Sequence, residues 1–142
     1  MEHSLHILLY RAFHAQRNYL RPSLQELGLG SGQPKLLAYL AARGPCHQKQ
    51  LADYFDVDPA NISRMVDSLE RGGFVRRRTD GRRDLVEVTG RGREASVLWQ
   101  ERCRQMEEVL LQGFTPEERE RFADYLFRAY QNIQQRQGEA RP

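Results

Sequence analysis

Cysteine is scarce in this chain. The two present, Cys46 and Cys103, lie far apart, and neither sits in a CxxC or CxC pair. In a reducing compartment they read as free thiols, and no metal site is written in thiolates. Histidine does not fill that gap. His3, His6, His14 and His47 form no HxxxH pair, and no acidic residue completes a three-ligand set beside them, so neither a metal nor another cofactor is expected. Long hydrophobic runs are missing as well: nothing approaches the roughly 18–20 apolar residues of a membrane span. The opening MEHSLHILLY lacks the basic start and small-residue cleavage site of a signal peptide. A cytoplasmic location with no membrane partner is the expectation. Catalytic patterns are equally thin. No Gly-rich phosphate loop follows a strand, and no serine or cysteine nucleophile comes with a placed histidine and acid, so an enzyme is not expected. Internal repeats and low-complexity linkers are absent.

What is present suits one helical domain. The 142 residues, 39% hydrophobic and 29% charged, allow a single domain over 1–142 built from amphipathic helices with solvated outer faces. The net charge of +3 is a weak hint, but its placement is informative. Between Arg71 and Arg93 the arginines at 71, 76, 77, 78, 82, 83, 91 and 93 face only Asp80, Asp84 and Glu87. Such a cluster is either a solvated face or a phosphate-contacting patch, and its position on a hairpin favours the patch.

The spacing of apolar residues predicts six helices. Leu5, Leu8, Leu9, Ala12, Phe13, Tyr19 and Leu20 recur at threes and fours over 3–21, and Pro22 then breaks the pattern. A second helix runs from Gln33 to about Ala42, with Pro34 tolerated in its first turn and Gly44-Pro45 closing it. A third covers Gln48 to Phe55. The fourth starts at Asp58-Pro59, an N-cap acid followed by a proline suited to the first helical position, and stops at Gly72-Gly73. Phe74–Arg78 and Leu85–Val88 read as two strands with Asp80-Gly81 as the tight turn. Thr89 caps a long helix to about Gln112, and Thr115-Pro116-Glu117-Glu118 opens the last one with a capping box. The tail QGEARP is expected to fray.

Helix, turn, helix with a marked start, then a basic hairpin: this is the layout of a winged helix-turn-helix. Successive helix residues turn by about 100°, so faces follow from numbering. On the fourth helix Ile62, Met65, Val66 and Leu69 converge on the core side. The opposite side collects Ala60, Ser63, Arg64, Asp67 and Arg71, flanked by Asn61 and Ser68. Small residues allow close approach to base edges, and Arg64 can donate two hydrogen bonds to a guanine in the major groove. Arg71 is placed for backbone. Gln48 and Pro59, at the starts of the third and fourth helices, and Arg78, Arg82 and Arg83 on the hairpin complete the candidate DNA contacts. An arginine at the hairpin tip suits a narrow minor groove. Asp80 either orients Arg82 or simply supports the turn at Gly81.

These residues resemble the MarR family of bacterial transcription regulators. QKQLADYFDVDPANISRMVDSLERGGFVRRR is similar to that family's helix-turn-helix and first wing strand. Asp80-x-Arg82 resembles its wing signature, LVEVTGRGRE its strand-to-helix junction, and GLGSGQPKLLAYLA its second helix. The wing is about two residues shorter than the family usually has. The resemblance covers about 5–135. It implies a mainly α fold with a small β wing, in which 33–89 is the DNA-binding part and 1–30 and 90–136 supply dimerisation helices. It further implies a homodimer on double-stranded DNA, reading successive major grooves about 34 Å apart on a pseudo-palindromic operator, and acting as a repressor.

Many members of the family are released from DNA by a small aromatic or anionic effector. Candidate lining here is Tyr10, His14, Arg17, Tyr39, Trp99 and Arg102, with Arg17 or Arg102 able to hold a carboxylate in a bidentate pair. The same side chains would equally serve as packing and interface groups. Two other readings stand beside this one. The chain could be a winged-helix module that binds protein or RNA, or a redox-responsive regulator through Cys46, whose place at the start of the third helix would lower its pKa.

Overall fold

The computed structural model describes residues 4–81 and 83–140, the side chains at 80, 83, 139 and 140 excepted. The expectations placed on Arg82, and on the side chains of Asp80 and Arg83, lie outside the described residues. Among the described residues six helices and three strands follow one another as α1 (Leu5–Leu27), α2 (Gln33–Arg43), β1 (Cys46–His47), α3 (Gln48–Phe55), α4 (Pro59–Arg71), β2 (Val75–Asp80), β3 (Arg83–Val88), α5 (Gly90–Leu110) and α6 (Pro116–Ala140). The expected class, mainly α with a small β wing, is the one observed.

The chain divides into two units, one running to Met106 and one from Glu107 onward. The first holds the core. Leu36, Leu37 and Leu40 of α2, Leu51 and Ala52 of α3, and Ile62, Val66 and Leu69 of α4 pack with Phe74, Val75 and Val86. The sheet is antiparallel, in the order β1-β3-β2. Cys46 pairs with Val86 and His47 with Leu85, while β2 runs against β3 from Val75↔Val88 to Asp80↔Arg83. The hairpin therefore turns one residue later than expected. Asp80 is the last paired residue of β2, and Gly81, at φ +65°, takes the left-handed conformation the connection needs.

Pro22 does not end α1, contrary to the expected break; the helix continues to Leu27 and stops at Gly28, φ +74°. An interior proline costs about 3 kcal/mol. Here Leu20 is buried and Leu24 and Leu27 pack on the core, and burying a leucine returns roughly 1.5–3 kcal/mol each.

The local signals behave as their chemistry demands. Asp58 Oδ1 accepts from the Ala60 amide at 2.8 Å, which starts α4 where the sequence marks it. Thr89 Oγ1 accepts from the Gly92 amide at 3.1 Å and donates to the Gly73 carbonyl at 2.6 Å, so one hydroxyl caps α5 and ties it to the end of α4. Gly92 is required by a close approach. A Cβ there would lie 2.1 Å from the Phe74 carbonyl oxygen and 2.6 Å from Val88 Cγ2.

The second unit comprises the last turn of α5 and all of α6. The Thr115 amide donates to Glu118 Oε1 at 2.9 Å, and the Glu118 amide to Thr115 Oγ1 at 3.1 Å, completing the expected capping box. Phe114 meets Phe122 edge to face at 5.9 Å. Helix α6 continues through Ala140, and residues 141 and 142 of the tail expected to fray lie outside the described residues. No helix among the described residues is long and apolar enough to cross a membrane.

Candidate nucleic-acid interface

The candidate reading helix is α4. Ile62, Val66 and Leu69 anchor one side. Pro59, Ala60, Asn61, Arg64 and Arg71 are exposed on the other, with Ser63, Asp67 and Ser68 half-buried beside them. The first turn offers small side chains to a phosphate or a base edge, while its Ala60 and Ile62 amides are held by Asp58. Arg64 donates from Nη2 to Asn61 Oδ1. That contact holds the guanidinium along the helix, leaving most of its donors directed outward.

Two of the expected contacts have internal work. Asp67 lies 2.7 Å from Arg77 Nη2. Gln48 Oε1 accepts from Arg77 Nε at 3.2 Å and Nη2 at 2.8 Å. Arg77 also reaches Glu70 at 3.0 Å, and its own amide donates to that carboxylate at 2.9 Å. One side chain of β2 thus clips α3, α4 and the wing together. Burial opposes its charge, but the hydrogen bonds and charges of Asp67 and Glu70 outweigh that and push its pKa further up. The sequence reading did not single out Arg77. Strand alternation was the available signal: Arg77 shares a face with Val75, while Arg76 and Arg78 share the other.

On that other face Arg76 Nε lies 2.5 Å from Glu87 Oε1, and Arg78 Nε lies 3.7 Å from Glu87 Oε2. The hydrogen bond from Arg76 holds the Glu87 carboxyl below its ordinary range, against some desolvation and with help from the charge of Arg78. Arg78, an expected contact, remains exposed. At the other side of the wing, His47 Nδ1 sits 2.9 Å from the Asp84 carbonyl oxygen and fastens β1 to β3.

The expected effector residues are only partly brought together. Arg17 and Trp99 line a cleft of ≈ 590 Å³ with Phe13, Leu24, Pro34 and Lys35. Arg17 donates to Ser31 Oγ at 3.3 Å across it. The others lie outside the cleft. Tyr10 stacks on His14 at 5.8 Å along exposed α1. Tyr39 joins Tyr54 and Phe55 in an aromatic cluster, and Arg102 pairs with Glu26 at 3.2 Å. Among the described residues no group of His, Cys, Asp or Glu is placed to hold a metal.

Cys46 is not the activated thiol that the redox alternative requires. It lies in β1, buried, and Sγ donates to the Gly44 carbonyl at 3.3 Å. Burial pushes its pKa up, with Arg43 offsetting only part of the effect. A raised pKa leaves little thiolate to react.

Comparison with known proteins places this geometry. Residues 29–82 match the model of the MarR family. A relative from Bacillus subtilis (strain 168), "Uncharacterized HTH-type transcriptional regulator YwoH", is 35% identical over 112 residues, covering 75% of this chain and 79% of its own. The crystal structure of MarR is 30% identical and superposes with a TM-score of 0.83 over 98% of each chain. A MarR-family regulator from Silicibacter pomeroyi, also 30% identical, has a TM-score of 0.71 over 89% of this chain and 87% of its own. With its reading helix, basic wing and these relatives taken together, the chain belongs to the MarR family of DNA-binding transcription regulators.

Proposed function

We propose that this chain acts in the cytoplasm as a homodimeric repressor, occupying a pseudo-palindromic operator and leaving it when a small aromatic or anionic ligand binds. The observation that carries the reading is the exposed face of α4. Ala60, Asn61 and Arg64 lie near its capped N-terminus, with Arg71 at its far end. Residues 33–89 would read DNA. The helices over 1–30 and 90–136 would pair the two copies, so that two reading helices meet successive major grooves about 34 Å apart. Exposed apolar side chains on α1 and α6 support the pairing, and a monomer in light scattering at micromolar concentration overturns it.

The Arg17 and Trp99 cleft supports the ligand. A guanidinium beside an indole and a phenyl ring suits a flat acid. A thermal-shift screen with small aromatic acids tests it, and no shift with any of them argues for packing alone.

The direct test of the reading face is Arg64→Ala, with affinity measured across a set of operator variants. The loss expected is about 1–3 kcal/mol, with preference relaxed at one base position. Unchanged affinity and unchanged preference would remove Arg64 from the reading face.

A further inference from the structure

The solvent face of the wing carries a compact charge arrangement that the reading helix does not use. Arg76 on β2 stands directly opposite Glu87 on β3. Arg78, two residues along β2, lies on the same face. The two carboxylate oxygens divide between them, Oε1 to Arg76 and Oε2 to Arg78. Glu87's side chain is 13% exposed, whereas Arg76 and Arg78 are 68% and 58% exposed. Two guanidinium groups therefore converge on one sheltered anion, the donor arrangement that also grips a phosphate oxygen pair.

We infer that Glu87 sets the general affinity for DNA: its carboxylate occupies the place between Arg76 and Arg78 that a DNA phosphate would otherwise take, and so restrains binding to DNA of any sequence. Phosphate contacts position a protein on DNA but carry no sequence information. Every arginine added to them raises affinity for all sites alike, while the base contacts from α4 stay as they are. An internal carboxylate removes two wing arginines from that general term. Affinity for operator and random DNA is lowered alike, and the ratio between them stays where the base contacts set it.

Glu87→Gln in the full-length chain tests this. The side chain keeps its shape and can still accept one hydrogen bond, but no longer neutralises the pair. Fluorescence anisotropy would follow binding to a random-sequence duplex and to an operator selected from a random pool, over a salt series. The expected result is a random-duplex affinity about threefold to tenfold tighter at low salt, with the log–log salt slope steeper by about 1–2. The operator-to-random ratio should stay the same, since both affinities gain alike. With Arg76→Ala and Arg78→Ala both present, adding Glu87→Gln should give no such gain. Glu87→Asp, one methylene short of both guanidinium groups, should shift the slope the same way by less, and it serves if the Gln variant does not fold. Unchanged or weaker random-duplex binding overturns the inference, since a merely structural cross-strand pair would give that. A full gain that persists without the two arginines overturns it too, since removal of one negative charge would then be the whole cause.

Discussion

The stretch from Gln33 to Thr89 and helix α6 treat their apolar residues in opposite ways. In the first, Leu36, Leu37, Leu51, Ile62, Leu69 and Val86 are fully buried. Every tie between its elements is made inside the chain: Asp58 caps α4, Arg77 clips α3 and α4 to the wing, and His47 fastens β1 to β3. In α6, Phe122, Tyr125, Leu126, Phe127, Tyr130 and Ile133 are 39–60% exposed, and none of its described residues is buried. A stripe that size on a helix is unstable in water unless something covers it. The stretch 33–89 is therefore closed by its own contacts, whereas the apolar stripe of α6 supports the proposed homodimer.

The sharpest way to break that contrast is on α6. Replacing both Leu126 and Ile133 with Asp places charges one turn-pair apart on the apolar side. The expected result in sedimentation is a monomer with an intact reading part. DNA affinity should drop by roughly a hundredfold to ten-thousandfold, because the second half-site loses its tethered partner. A dimer that survives both substitutions would show that α6 is not the seam.

The next largest effect tests how closed the reading part is. Gly92→Ala puts a methyl group onto the Phe74 carbonyl and Val88. It should cost about 1–3 kcal/mol in urea unfolding. A neutral result would mean that the start of α5 has room to move away from the wing root.

Arg77→Gln probes the clip itself. Asp67 and Glu70 are partly solvated, their side chains 48% and 40% exposed, so water replaces some of what is lost. A loss of about 1–2 kcal/mol is expected, with weaker DNA binding from a wing no longer held against α4. Equal stability with equal DNA affinity would show the clip to be idle.

The smallest effect concerns Cys46. Its folded-state pKa is raised, so the thiolate fraction at pH 8 falls below that of an exposed cysteine and grows only at more alkaline pH. Iodoacetamide should label Cys46 slowly in the native protein and rapidly in urea. Fast native labelling would reopen the redox reading.

Most of the helices were legible because their signals are local. Asp58-Pro59, Thr89 and the Thr115 to Glu118 box each act within three residues, and the apolar spacing of α4 assigns its core side as Ile62, Met65, Val66 and Leu69, of which all but the half-buried Met65 are buried. The exposed reading face follows from the same periodicity. What escaped the sequence depends on residues far apart. Strand β1 is two residues long and exists only because Cys46 and His47 find Val86 and Leu85. The continuation of α1 past Pro22 depends on the core beneath Leu24 and Leu27.

The amino-acid sequence by itself marked a helix-turn-helix with a basic hairpin, since caps, periodicity and charge placement are properties of neighbours along the chain. Tertiary structure alone decided which charges are paired within the chain. Arg77 and Glu87 are ordinary members of a charged run until the hairpin folds. Pairing of β2 with β3 then turns one toward Asp67 and Glu70, and sets the other between Arg76 and Arg78. The reason is physical: a strand reverses its side chains at each residue, and which partner each one meets is settled only by what packs on either face.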